Sequence, residues 1–89
     1  MTGDREAYFW NTQSGAELDL FVFINGYRFG FEFKYAAAPA VTKSLQVARA
    51  DLKLRQVFLV HPGKKSYPLN EWAEALSIED LQRRMKKIA

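Results

Sequence analysis

Two apolar runs on either side of an Asn-Gly dipeptide form the clearest pattern in the chain. The runs cover residues 16–24 and 27–35, and both are rich in β-branched and aromatic side chains. Asn25-Gly26 between such runs predicts a two-residue hairpin turn, because both turn positions need φ above zero. With these two residues as the loop, Ile24 faces Tyr27, and every other pair in the hairpin follows from that register.

The predicted register gathers charged side chains on one face of the hairpin. Asp19 lies opposite Glu32, and Glu17 lies opposite Lys34. Because side chains alternate along a strand, these four share a face. The opposite face is apolar throughout and carries Leu18, Leu20, Val22, Ile24, Tyr27, Phe29, Phe31 and Phe33. Facing carboxylates destabilise a sheet, and a divalent cation is one way to offset that repulsion.

The rest of the chain predicts a strand on each side of this hairpin and a crossover helix. Residues 7–11 form a short strand candidate, and Thr42 is placed to cap a helix that runs to about Leu54. Residues 56–61 are nearly all apolar, as is typical of a parallel strand buried on both faces. We therefore expect a right-handed βαβ crossover. Asn70 predicts a helix over residues 71–76, and Ser77 with Asp80 resembles a capping box for a last helix.

The fold class expected from these elements is α/β (α+β), in one domain over residues 1–89. The sheet is mixed and four-stranded, an antiparallel meander plus a βαβ crossover, with a helix on its apolar face. The chain contains no cysteine, which excludes disulfides and thiolate chemistry. No run approaches the roughly 20 apolar residues of a membrane span. The charged start is unlike a signal peptide, so we expect a cytoplasmic protein.

The charged cluster has residue types that suit phosphodiester hydrolysis. Asp19 and Glu32 offer the hard oxygen ligands that Mg²⁺ prefers, with Mn²⁺ as a substitute. A bound metal lowers the pKa of its water, and Lys34 is placed to orient that water or stabilise developing charge. Glu17 is either a third metal ligand or the ion-pair partner of Lys34. The alternative is a solvated face whose surface pairs contribute roughly 0–1 kcal/mol each.

The Glu17-x-Asp19 hairpin, Glu32-x-Lys34 and the crossover helix resemble the PD-(D/E)xK, restriction-endonuclease-like superfamily. With Phe9-Trp10 added, the pattern is most similar to an uncharacterised module that follows the ATP-binding domain of many bacterial and archaeal AAA-type ATPases. The resemblance implies Mg²⁺-dependent DNA cleavage in active members, and a glutamine on the crossover helix of some nucleases matches Gln46. The superfamily core begins with a helix that this chain lacks. We therefore expect a C-terminal piece of a longer ATPase-type protein.

Two functions follow as expectations. The first is a nuclease-like domain that cleaves DNA, and the alternative is a non-catalytic DNA-binding or protein-interaction module of an ATPase. Residues 1–40 carry three basic and five acidic side chains, whereas residues 41–89 carry ten basic and five acidic ones. Lys64 and Lys65 are candidates for phosphate contact, although solvation alone also explains them. The ATP-binding domain of the same parent protein is an expected partner, and a chain this short is expected to form a homo-oligomer.

Overall fold

The computed structural model describes residues 5–8, 20–35 and 39–88, with residues 5–8 described by their backbone alone. Six strands, two α-helices and one 3-10 turn make up this part of the chain. In chain order they are β1 Arg5–Tyr8, β2 Leu20–Ile24, β3 Tyr27–Phe33, α1 Lys43–Leu52, β4 Gln56–His61, β5 Tyr67–Pro68, β6 Ala73–Ser77, the 3-10 turn Ile78–Asp80 and α2 Leu81–Ile88.

All the strands belong to one mixed sheet, in the order β1-β2-β3-β4-β6-β5. The meander β1-β2-β3 is antiparallel, β4 lies parallel to β3, and β6 lies parallel to β4. The predicted meander and crossover are confirmed, but the four-stranded count is wrong. Five strands have four or more residues, and the two-residue β5 pairs antiparallel with β6 at the edge.

The turn between β2 and β3 has the predicted conformation. Asn25 has φ 52° and Gly26 has φ 84°, so both occupy the left-handed region that a two-residue hairpin turn requires. Ile24 pairs with Tyr27, and the same register continues to Leu20 opposite Phe31. The predicted register is therefore confirmed for every described pair of this hairpin.

The crossover helix α1 also begins where the sequence predicts. The Thr42 side chain accepts a hydrogen bond from the Leu45 backbone N–H at 3.1 Å, which is the expected N-cap. The helix ends at Leu52, and the C-cap residue Lys53, with φ 53°, donates its N–H to the Arg49 carbonyl. Leu45 and Ala48, one turn apart on the same side of the helix, are both buried.

The two helices cover opposite faces of the sheet. On the apolar face of the hairpin, α2 packs over Val22, Ile24, Phe29, Phe31, Phe58, Val60 and Leu76. On the other face, Leu45 of α1 and the following Leu54 pack with Val57 and Leu59. The crossover helix was the helix expected on the apolar face, and that placement is wrong: α1 lies on the face that carries Glu32, and α2 covers the apolar face.

The predicted helix over residues 71–76 is wrong, because Ala73–Ser77 form β6 beside β4. Asn70 does accept the N–H groups of Trp72 and Ala73, both at 2.8 Å, but it closes a turn that leads into a strand. Ala73 and Ala75 are both buried and pair with Val57 and Leu59 of β4. Tertiary packing therefore overrides a local helical preference.

The predicted capping box is formed in part. Ser77 accepts the Glu79 N–H at 3.2 Å, as an N-cap residue does. The Ser77 N–H, however, is bound by Ser66 Oγ at 2.9 Å, and that hydroxyl in turn donates to Asp80 at 2.7 Å. The Ser66 hydroxyl therefore links Ser77 and Asp80, the two residues of the expected capping box. Neither described helix is long and apolar enough to cross a membrane.

Candidate functional site

The strongest candidate site lies at the carboxyl end of β3, where a buried carboxylate meets a lysine. Glu32 is only 4% exposed, although it carries a charged side chain. Its Oε2 lies 2.6 Å from Nζ of Lys34, whose side chain is 30% exposed. Isolated buried carboxylates are unfavourable, so the Lys34 ammonium at this distance offsets part of the cost of burying the Glu32 side chain.

The strand geometry explains how the pair forms. Glu32 and Lys34 are two residues apart, so both side chains point to the same face while Phe33 points to the other. Glu32 is paired with Leu59 of β4, and the Lys34 N–H continues the ladder by donating to the Val60 carbonyl at 2.8 Å. Lys34 is therefore held by backbone pairing even though it follows the last residue of β3.

The other predicted acids of the site, Glu17 and Asp19, lie outside the described residues, as does Trp10. The described hairpin ends at Leu20, opposite Phe31. Within the part of the chain that the structure describes, no three histidine, aspartate or glutamate side chains are grouped so that they could hold a metal ion.

The face of the sheet around Gly30 is closed by packing. Gly30 is buried and pairs with Phe21 of β2. The Phe21 side chain packs with the cluster that contains Leu45 and Leu59, under the crossover helix. Access to Glu32 from this side is therefore restricted, and the exposed part of Lys34 leads toward the carboxyl end of the strands.

The predicted nucleic-acid contacts lie in two places. Gln46 is exposed on α1, next to the buried Leu45, and its N–H donates to the Thr42 carbonyl within the helix cap. Lys64 and Lys65 are exposed in the loop that follows β4. Since β3 and β4 are parallel, this loop and Lys34 leave the sheet at the same edge.

A cavity of about 360 Å³ opens at this edge, and the sequence did not predict it. Its lining comes from the ends of β3 and β4 and from the 3-10 turn: Phe33, Lys34, Tyr35, Val60, His61, Pro62 and Ile78. Phe33 and Val60 point to the face of the sheet opposite Glu32, so the cavity opens on the α2 side of the strand ends and not on the side of the Glu32 carboxylate.

His61, the last residue of β4, is deeply buried, with 2% of its surface exposed. Its Nδ1 accepts the Gly63 N–H at 3.1 Å, so in the neutral ring the proton resides on Nε2. Nε2 is buried and has no hydrogen-bond partner among the described residues. A Cβ at Gly63 would lie 2.8 Å from the ring, so only glycine permits this close approach.

A second ionic cluster lies where α2 begins, and its contacts are structural. Arg84 of α2 donates to Glu74 of β6 at 2.5 Å, and its guanidinium lies 5.8 Å from the centre of the Phe58 ring. The bond to Glu74 raises the pKa of Arg84. Asp80 accepts from Ser66 and also pairs with Arg83, and the Ser66 hydrogen bond is the main cause of a lowered pKa at Asp80.

Comparison with known proteins places the chain in a family. Residues 2–81 match the family described as Domain of unknown function (DUF4143). The chain is 36% identical over 74 residues to Uncharacterized protein Mb2031c of Mycobacterium bovis and, equally, to Uncharacterized protein Rv2008c of Mycobacterium tuberculosis. These alignments cover 83% of the chain but 17% of each relative. No solved structure matches significantly. The chain belongs to the DUF4143 family.

Proposed function

We propose that this member of the DUF4143 family is a nuclease-like domain that hydrolyses phosphodiester bonds of DNA with the help of Mg²⁺. The observation that carries the proposal is the buried Glu32 beside Lys34, at the carboxyl end of a strand flanked on both sides. The hairpin and crossover around it are those expected of a restriction-endonuclease-like core. We propose that core as the ancestry of the fold.

The pair supplies two of the chemical groups that phosphodiester hydrolysis needs. The Glu32 carboxylate is a hard oxygen donor, of the type that Mg²⁺ prefers. The Lys34 ammonium is partly exposed, so it can reach a phosphate oxygen or a water molecule without leaving Glu32 completely. The Glu32 carboxylate thus has a defined orientation, and the pair is accessible to solvent through the partly exposed Lys34.

Asp19 is proposed as the second acid because the described register supports it. If the pairing of Leu20 with Phe31 continued for one more residue, Asp19 would lie opposite Glu32. In the same register Glu17 would lie opposite Lys34. We propose Asp19 and Glu32 as the main metal ligands, with Glu17 as either a third ligand or a partner of Lys34.

The residues fit a divalent cation by the chemistry of their donors, since one carboxylate is already buried and oriented in the described part. Mg²⁺, or Mn²⁺ in its place, would supply a water of lowered pKa and neutralise charge at phosphorus when bound. Lys34 would hold the water or the phosphate, and Glu32 would keep the Lys34 ammonium in position. Apolar neighbours such as Leu59 limit the access of bulk water to the pair.

A cleavage assay tests this proposal. The chain should nick or degrade plasmid or linear DNA in the presence of Mg²⁺ or Mn²⁺ and not in the presence of a chelator. Asp19→Ala and Glu32→Gln should each reduce the rate at least about a hundredfold, because each removes a group that acts on the reacting phosphate. Asp51→Ala and Glu71→Gln, at exposed positions away from the pair, are matched controls and should retain the rate.

The second candidate is a non-catalytic DNA-binding or protein-interaction module, and the size of the relatives favours it. The chain spans 17% of the mycobacterial relatives that it matches, so most of each relative lies outside the matched region. The resemblance to modules of AAA-type ATPases suggests an ATP-binding domain of the same protein as a partner. Divalent-dependent cleavage that disappears with Asp19→Ala would decide for the nuclease, and its absence in purified protein would decide for the module.

A further inference from the structure

The side of α2 that faces away from the sheet is basic. Leu81, Met85 and Ile88 pack against the core, and their spacing of four and three residues turns them to one side of the helix. The exposed side chains on the opposite side are Gln82, Arg83, Lys86 and Lys87. α2 contains no acidic residue, and its eight residues span about 12 Å. Three cations therefore lie close together on one helical surface.

The helix dipole accounts for only part of this charge. Lys86 and Lys87 lie in the last turn of α2, where cations are favourable. Arg83 lies in the first turn, where the dipole disfavours a cation. Its side chain is 76% exposed and pairs with Asp80 just before the helix. This pair holds the Arg83 guanidinium at the surface and leaves most of it accessible to a ligand.

A polar concavity of about 270 Å³ lies along this side of α2, and its lining residues are Asp80, Arg83, Arg84 and Lys87. The one carboxylate, Asp80, already accepts a hydrogen bond from Ser66 at 2.7 Å and pairs with Arg83. The three other lining residues are cations. Arg83 and Lys87 are exposed, so both can donate to the oxygens of a phosphate group.

Lys64 and Lys65 extend the basic surface beyond the helix. The Ser66 hydroxyl donates to Asp80, so the loop that carries the two lysines is attached to the start of α2. Both lysines are exposed. Their loop leaves β4 at the carboxyl edge of the sheet, where Lys34 follows the parallel strand β3. The cations are thus distributed from the outer side of α2 to the edge at which Lys34 lies.

A nucleic-acid duplex matches this surface better than a single strand does. Duplex DNA carries one negative charge for about every 1.7 Å of its axis, so the length of α2 corresponds to about seven charges. Proteins that bind single strands add aromatic side chains on which the bases stack. α2 contains no aromatic residue. Contacts from this surface therefore go to phosphates and are independent of base sequence.

We propose that the outer side of α2, together with Lys64 and Lys65, binds the phosphate backbone of duplex DNA. The proposal rests on the proposed function for the identity of the polyanion, and it adds the surface that holds the substrate. α2 and Glu32 lie on opposite faces of the sheet. The α2 cations therefore act as positioning residues and take no part in the hydrolysis itself.

Fluorescence anisotropy in the presence of a chelator tests the proposal without cleavage. The probes are a labelled DNA duplex and a single strand of the same length, with polyglutamate as a competitor. The duplex should bind more tightly, and its affinity should fall more steeply with salt, with a logarithmic slope of about 0.9 for each phosphate contact against about 0.7 for a single strand. Polyglutamate at equal total charge should displace little of the duplex.

Arg83→Gln and Lys87→Gln each remove one outward cation. Each should weaken duplex binding about fivefold at about 0.15 M salt and lower the salt slope by about 0.9, as expected for one lost phosphate contact. Arg83→Lys keeps the charge and should bind like the wild type.

Two control variants lose the same charge elsewhere. Arg84→Met removes a cation of the same helix that is turned inward, where it donates to Glu74 and lies over the Phe58 ring. Lys53→Gln removes an exposed lysine at the end of α1, on the other side of the sheet. Both controls should keep the affinity and the salt slope of the wild type. Melting curves for all variants show whether a loss of binding reflects a loss of fold.

The outcomes separate this proposal from the nuclease proposal. Duplex binding that Arg83→Gln and Lys87→Gln weaken, in a chain that cleaves nothing with Mg²⁺ or Mn²⁺, would support the α2 surface and overturn the nuclease. Cleavage by a chain whose duplex affinity is the same in both variants and the wild type would overturn the α2 surface and keep the nuclease. The α2 proposal also fails if the wild type does not bind the duplex, or if polyglutamate displaces the duplex completely, which would indicate an acidic protein as the partner.

Discussion

Two ion pairs in this molecule have similar geometry but different surroundings. Arg84–Glu74 joins α2 to β6 at 2.5 Å, and Lys34–Glu32 joins two residues of a single strand end at 2.6 Å. The carboxylate side chain is 15% exposed in the first pair and 5% exposed in the second. Arg84 also lies over the Phe58 ring, so the first pair attaches a helix to the apolar core.

The two pairs differ in what they join. Arg84–Glu74 connects a helix to a strand. Lys34–Glu32 joins two residues of one strand end, and it keeps a charge inside the sheet layer at a cost in desolvation. Buried charged groups of this kind are frequent at functional sites. The following predictions test this contrast.

The largest expected effect is an asymmetry within the Lys34–Glu32 pair. Lys34→Met should lower the free energy of unfolding by about 3 kcal/mol, because it removes the lysine from a buried carboxylate. Glu32→Gln should lower it by about 1 kcal/mol or less, since the remaining ammonium is 30% exposed and can turn to water. Urea denaturation measures both, with Lys64→Met as an exposed control. Equal losses for the two variants would contradict the asymmetry.

A smaller effect is expected from divalent cations. Mg²⁺ or Mn²⁺ at ten times its dissociation constant should stabilise the wild-type chain by about 1.4 kcal/mol, because it binds the folded state selectively. Calorimetry should show a higher melting temperature for the wild type and for Glu74→Gln, and no change for Glu32→Gln. If neither ion shifts the wild type at millimolar levels, Glu32–Lys34 is a structural pair, and the nuclease proposal fails.

Removing the α2 pair should have a modest effect confined to stability. Glu74→Gln and Arg84→Met should each cost about 1 kcal/mol, the usual contribution of a hydrogen bond to a charged group at a partly exposed site. Neither variant should change DNA binding or cleavage. Urea denaturation and anisotropy on the same samples check both statements. A loss of cleavage without a loss of stability would show that Arg84–Glu74 also contributes to function.

The smallest expected effect concerns acid stability at Asp80. Its folded-state pKa lies below the ordinary value of 3.8, mainly because Ser66 donates a hydrogen bond to the carboxylate. This contribution to stability is present above the ordinary pKa and is lost as the pH falls through the lowered one. Between about pH 5 and pH 2, the wild type should therefore lose more stability than Asp80→Asn. Parallel melting curves for the two proteins would contradict this.

Local signals predicted the parts of the fold that depend on neighbouring residues. Asn25-Gly26 fixed the hairpin register, and Thr42 fixed the start of α1, because each acts through its own backbone and side chain. The helix predicted from Asn70 was wrong, because an Asx turn can begin a strand as well as a helix when a neighbouring strand is available. The order β4-β6-β5 depends on that distant pairing and could not be read from local pattern.

The sequence predicted one part of the candidate site and did not predict another. Glu32-x-Lys34 was found from alternation along a strand, and the structure brings the two side chains together. The cavity could not be predicted, because its lining combines the ends of two strands with a turn that follows a third. One sequence feature points to the packing of His61. Gly63, in the Pro62-Gly63 pair, has no side chain and lies close to the His61 ring.

The two-residue turn at Asn25-Gly26 also bears on the order in which the protein folds. A hairpin closed by so short a loop forms from local contacts, within microseconds in isolated examples, whereas the parallel pairs β3–β4 and β4–β6 must wait for distant segments to meet. We therefore expect the register of this hairpin to be set before the rest of the sheet assembles. Destabilising changes in α1 or β6 should slow completion of the fold and leave that register intact.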